Sequence, residues 1–146
     1  MTISLLVNID VPDLEKAIAF YRDGLGLFPG RRLMGNIMEM LGAGSPIYLI
    51  EKSTGRAASA THAQLRDYRR HWTPVHLDFV VDDILKSLDQ ARRAGATLEG
   101  MLQTFNWGKI ANFADPFGHG FCLIEFINKG YGEILEEGHD GRKSPL

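Results

Sequence analysis

The chain has 146 residues, of which 45% are hydrophobic and 23% charged, the balance of an ordinary globular protein and far from the disordered or membrane-spanning classes. A formal net charge of −2 leaves no broad basic surface to neutralise a phosphate backbone or an anionic membrane, which argues against nucleic acid and membrane as partners. One cysteine, Cys122, permits no intrachain disulfide, and no basic leader precedes a long apolar run, so a reducing, cytoplasmic location is expected.

Residues 3–11 alternate, with Ile3, Leu5, Val7, Ile9 and Val11 on one side and Ser4, Leu6, Asn8 and Asp10 on the other, predicting a strand with one apolar and one mostly polar face. Pro12-Asp13 breaks it. Asp13 suits an N-cap, and Leu14, Ala17, Ile18, Tyr21 and Leu25 recur at helical spacing as far as Gly24 and Gly26. Gly30, Gly35, Gly42 and Gly44 then separate apolar runs at 33–34, 37–41 and 46–50, predicting three short antiparallel strands. Residues 53–73 are read as a linker, small-residue-rich at first and then polar (HAQLRDYRRHW), with a short helix as one option. Residues 75–81 alternate again, Asp82-Asp83 open a second helix carrying Ile84, Leu88 and Ala91, and Gly95 stops it. Asp115-Pro116-Phe117-Gly118 reads as a structural turn before a buried last strand. The glycine-bearing tail, 129–146, has too little apolar surface to be anchored firmly, and its last residues are expected to be mobile.

The second half repeats the first. Aligning residue 77 with residue 7, an offset of 70, superposes both strand-helix junctions and pairs Leu6 with His76; aligning 121 with 47, an offset of 74, superposes FCLIE on IYLIE. The prediction is therefore an α+β fold of two βαβββ modules around a cupped sheet, module one over about 1–52 and module two over about 74–128.

VNIDVPDLEKAIAFYRDGLGL, followed by HLDFVVDDI and then by FADPFGHGFCLIEF, resembles the vicinal oxygen chelate superfamily, which includes glyoxalase I, bleomycin resistance proteins and extradiol dioxygenases. The resemblance spans both modules. It implies a single glyoxalase-like domain whose sheets form a U-shaped, partly open mixed-sheet barrel around a cavity, often in a homodimer. In many members that cavity holds a divalent metal, on one residue of the first strand and one of the last strand in each module. Those positions map to Leu6, Tyr48, His76 and Cys122, and only His76 fits the usual pattern. A divalent ion needs about three good protein ligands. Glu51 and Glu125 each lie three residues beyond a mapped position, so strand alternation turns them to the opposite face. The mapped metal set therefore looks dismantled: no particular cofactor is expected, and a divalent metal stays open although three of the four usual ligand positions are unsuitable.

Strand alternation leaves Leu6, Asn8, Asp10, His76, Asp78 and Val80 on the groove face. Together with Tyr48, Cys122 and Trp107 they have the mixed makeup of a small-molecule pocket. In a binding protein of the bleomycin resistance type, Leu6, Tyr48 and Trp107 supply surface while Asn8, His76 and Asp78 orient the ligand. The alternative is a lyase, isomerase or dioxygenase-type enzyme using either His76 as acid or base or a metal on an unusual ligand set. Each residue also has a plain structural reading: His76 a hydrogen-bonded structural histidine, Asn8 and Asp78 partners of one another, Trp107 a core or interface aromatic, Cys122 a packed small hydrophobe. Asp10 reads as a solvated turn residue. Arg66, Arg69, Arg70, His71 and Trp72 read as a solvated helix face, with an anion-binding cover over the cavity as the rival.

Overall fold

The computed structural model describes residues 1–136; the expected mobile end of the tail lies outside the described residues. Module one runs β1 (Val7–Val11), α1 (Leu14–Asp23), β2 (Phe28–Leu33), β3 (Ile37–Leu41) and β4 (Ile47–Glu51), ordered β1-β4-β3-β2 in its sheet. After β5 (Ala57–Ser59) and β6 (His62–Leu65), module two runs β7 (Leu77–Val80), α2 (Ile84–Arg93), β8 (Thr97–Leu98), β9 (Gln103–Thr104), β10 (Gly108–Ala114) and β11 (Gly120–Phe126). Its order is β7-β11-β10-β8, with β9 also on β10. In both sheets the module's first strand pairs in parallel with its last, β1 with β4 and β7 with β11, and the other pairings are antiparallel. The sheets do not close into a barrel.

The two helices start by the same device. Asp13 and Asp83 accept from the backbone N–H of Lys16 and Lys86 at 3.1 Å, which satisfies one of the donors a helix start leaves unpaired. A second carboxylate completes each start: Glu51, at the end of β4, accepts from Leu14 N at 2.8 Å, and Glu125, near the end of β11, from Ile84 N at 3.1 Å. Both glutamates thus serve the helix face, as strand alternation requires, where negative charge complements the helix dipole.

One continuous core spans both modules, taking Val11, Leu14, Ile18, Met40 and Leu49 from the first and Ile84, Phe113, Phe121 and Leu123 from the second. Polar ties cross the same boundary. Tyr21, fully buried on α1, donates to Asp115 Oδ2 at 2.7 Å, while Asp115 Oδ1 accepts from Phe117 N and His119 N and so closes the turn before β11. Gly118 takes φ +88° in that turn, and a side chain there would collide with the Tyr68 carbonyl. His119 Nε2 meets the Asp10 carbonyl at 2.7 Å, and Gln90 on α2 donates to the Asp23 carbonyl at the end of α1.

Three expectations are corrected. The first strand starts at Val7, because β4 begins at Ile47 and offers nothing to pair with residues 3–6; Leu6 is left outside the sheet and exposed, and the alternation over 75–81 likewise narrows to Leu77–Val80, leaving His76 just before β7. The linker contains a β5–β6 hairpin and no helix, so residues 66–72 are not a solvated helix face. Asp10 is not a solvated turn residue: it sits in β1, half-buried, and pairs with Arg66 Nε at 2.6 Å.

Candidate functional site

Parallel pairing of β7 with β11 sets Asp78 directly opposite Cys122, and antiparallel pairing of β10 with β11 sets Asn112 on the other side of Cys122. Directly opposed residues in adjacent strands point to the same face, so Asp78, Cys122 and Asn112 form one row across three strands. His76, two residues before Asp78, joins it with Nε2 3.1 Å from Asp78 Oδ1. Cys122 is 7% exposed and its Sγ donates to Asn112 Oδ1 at 3.1 Å. Burial first, and then the neighbouring Asp78 carboxylate, push the Cys122 thiol up to about 11. At neutral pH it is therefore a protonated thiol and not an activated nucleophile.

Two clefts meet at His76. One of about 420 Å³ lies over the row, bounded by Cys122 and Asn112, by the apolar side chains of Ile110, Phe113 and Trp72, and by Arg70 and Glu99. The other, of about 480 Å³, lies between β1 and β7 and includes Asn8, Asp10, Val75, Phe79 and His119. Thr73, His76, Gly120 and Phe121 line both. Residues 70–73 run along this mouth, held by two Arg70 hydrogen bonds to Glu99 at 2.8 and 2.9 Å. A larger cavity of about 650 Å³ over the linker has its arginines already paired, Arg66 with Asp10, Arg69 with Asp67 and Arg70 with Glu99.

Module one carries the equivalent row, and it is closed on itself. Asn8 is opposite Tyr48 and Tyr48 opposite Glu39, as Asp78, Cys122 and Asn112 are in module two. Glu39 is only 5% exposed; it accepts from Arg31 Nη2 at 2.6 Å, Arg31 Nε at 3.1 Å and the Tyr48 hydroxyl at 2.9 Å. Hydrogen bonds from Arg31, and then from Tyr48, hold its carboxyl down at about 2.

The structure thus brings His76, Asp78 and Cys122 together and places Asn8 across the second cleft. It does not bring in Leu6, which lies outside the sheet, or Tyr48, whose hydroxyl is committed to Glu39. Trp107 is also elsewhere: it stacks on Phe105 at 5.5 Å and packs against Phe126 and Tyr131. That cluster lies five residues along from Asn112, about 16 Å at strand spacing. Sequence reasoning missed Asn112, Thr73 and the Arg70–Glu99 pair; the repeat could have found Asn112, since it stands to Cys122 as Glu39 stands to Tyr48.

The four mapped metal positions do not fit a metal. Leu6 has no donor atom and Tyr48 is consumed, which leaves His76 and Cys122. Among the described residues, one group of histidine, cysteine and carboxylate side chains could hold an ion: His76, Asp78 and Cys122, with ligand atoms all within 4.8 Å of one another.

Comparison with solved structures gives the same architecture. A hypothetical protein from S. aureus superposes with a TM-score of 0.68 at 21% identity, over 86% of this chain and 95% of that one. A glyoxalase/bleomycin resistance protein/dioxygenase family enzyme from Burkholderia phytofirmans gives 0.66 at 21%, over 84% and 97%. A mutant of the fosfomycin resistance protein from Listeria monocytogenes, complexed with Mn(II) and 1S,2S-dihydroxypropylphosphonic acid, gives 0.61 at 18%, over 84% and 87%. Comparison with curated protein sequences returns no match. The model of the glyoxalase-like domain family matches residues 6–124, most of both modules, and the chain belongs to that family.

Proposed function

We propose that the protein binds a small organic molecule in the concave sheet, where two clefts meet at His76. The observation that carries this reading is the meeting at His76 of two clefts with apolar walls and a few placed polar groups, the makeup of small-molecule sites. Ile110, Phe113 and Trp72 supply apolar surface; His76, Asn112 and Asn8 supply hydrogen bonds. Thermal-shift screening of compounds with an apolar or aromatic body and one or two hydrogen-bonding groups tests it, with protein and buffer treated with chelator. At least one class should raise the Tm of the parent protein and not of Asn112→Leu or His76→Ala; a library that raises neither overturns the reading.

One observation favours a second reading, an enzyme of lyase or isomerase type. Asp78 holds the His76 ring from one side, the arrangement in which a carboxylate orients a general acid or base. Asp78→Asn should then lower turnover of any identified ligand while leaving its binding intact.

A homodimer is part of this proposal. β1 and β7 each have one hydrogen-bonded neighbour in their sheets, and exposed Leu5, Leu6, Val75 and Val80 lie in or beside them. Light scattering should give twice the chain mass. The single buried thiol suits a reducing, cytoplasmic setting, and among the described residues no helix is long and apolar enough to cross a membrane.

A further inference from the structure

We propose that module two by itself carries a zinc-class divalent metal site, formed by His76 Nε2, the Asp78 carboxylate and Cys122 Sγ, with no ligand from module one. Asp78 and Cys122 come from adjacent strands and are directly opposed, His76 immediately precedes β7, and the three donor atoms lie within 4.8 Å of one another. Three ligands around a small tetrahedral ion sit about 3.3–3.8 Å apart, given metal–ligand bonds of about 2.0–2.3 Å, so rotamer adjustment of half-exposed His76 and Asp78 closes the set. The donors are imidazole nitrogen, carboxylate oxygen and thiolate sulfur. That mixture selects zinc, cobalt or nickel over manganese or magnesium, which favour all-oxygen sites.

Binding balances without redox chemistry. The Cys122 S–H bond breaks, its proton passes to solvent, and the sulfur lone pair bonds the metal. Asn112 is placed to adapt: its Oδ1 accepts from the thiol in the metal-free chain, and half a turn of the amide presents its NH₂ donors to the thiolate. The fourth position faces the cleft of about 420 Å³. Only the use of that open position by a ligand rests on the small-molecule reading above; the metal site itself does not.

The test uses the full chain stripped with chelator and titrated with Co(II), Zn(II) and Mn(II). One Co(II) per chain should bind with a thiolate-to-metal charge-transfer band in the near ultraviolet; Zn(II) should displace it and Mn(II) should not. His76→Ala and Asp78→Asn should each weaken Zn(II) binding more than about tenfold, a lower bound taken from the cost of removing even an indirect partner of a metal ligand. Cys122→Ser should abolish the band, and His62→Ala, on the distant hairpin, should change nothing. Because Cys122 is buried and its variant can fail to fold, the two half-exposed positions carry the decision. Absence of the band in the parent protein, Zn(II) binding untouched by both His76→Ala and Asp78→Asn, or preference for Mn(II) overturns the proposal. Failure of the small-molecule reading is read separately, in the thermal shifts of chelator-treated protein.

Discussion

Tyr21→Phe removes one oxygen atom and tests how the two modules are joined. The Tyr21 hydroxyl reaches from α1 to Asp115 Oδ2 at 2.7 Å, and both residues are buried, so the substitution strands a carboxylate oxygen where water cannot replace the lost donor. A hydrogen bond to a charged group contributes about 1.5–3 kcal/mol. For a chain of this size that corresponds to a fall of roughly 5–12 °C in Tm. Urea unfolding followed by tryptophan fluorescence, and thermal unfolding by circular dichroism, should both show it. Repeating the substitution in an Asp115→Asn background should shrink the cost, since the charged acceptor is gone. The pH dependence has a definite sign. Burial first, and the Asp115 charge second, raise the Tyr21 hydroxyl well above its usual 10.0. A group whose pKa is raised by folding gives its full contribution below its unfolded value and loses it as pH climbs toward the folded one. Above pH 10 the parent should therefore lose stability more steeply than Tyr21→Phe. A loss below about 0.5 kcal/mol, the range of ordinary surface changes, or an equal loss in both backgrounds, would refute the stabilising role of the Tyr21–Asp115 hydrogen bond.

Glu51→Gln and Glu125→Gln should each cost about 1 kcal/mol by weakening a charged helix start, and the two costs should add because the helices are capped separately; urea midpoints of the single and double variants check this. Glu39, held at about 2 mainly by Arg31, contributes stability that is complete above its ordinary 4.5 and is lost as pH falls toward 2. Arg31→Met should flatten the stability curve across that window, as measured by acid titration of the urea midpoint.

Much of the fold is legible along the chain, because the signals involved are local. The aspartates at 13 and 83 cap because a short carboxylate just before an apolar helical period reaches the third amide beyond it. Strand alternation sent Glu51 and Glu125 to the helix side, where they are found. The candidate site was legible only in part. Asp78 and Cys122 share a face by register; Leu6 and His76 each lie one residue before their module's first strand, and His76 joins the row only through Asp78, a contact leucine cannot make. Tyr48 failed because Glu39, lying within the apolar run IMEML, was buried and took its hydroxyl.

The sequence by itself determined the duplication, the βαβββ order of module one and the helix ends, all of which depend on periodicity and on neighbours a few residues away; in module two the strand after the helix is split into β8 and β9, both paired with β10. Only the tertiary structure decided that Arg66 neutralises Asp10 and Arg70 holds Glu99. It likewise set Tyr21 to lock Asp115 and Asn112 to complete the row at Cys122. These contacts join residues up to 94 apart in the chain, and no local pattern encodes which of several equivalent charges or amides will meet once two sheets pack on one core.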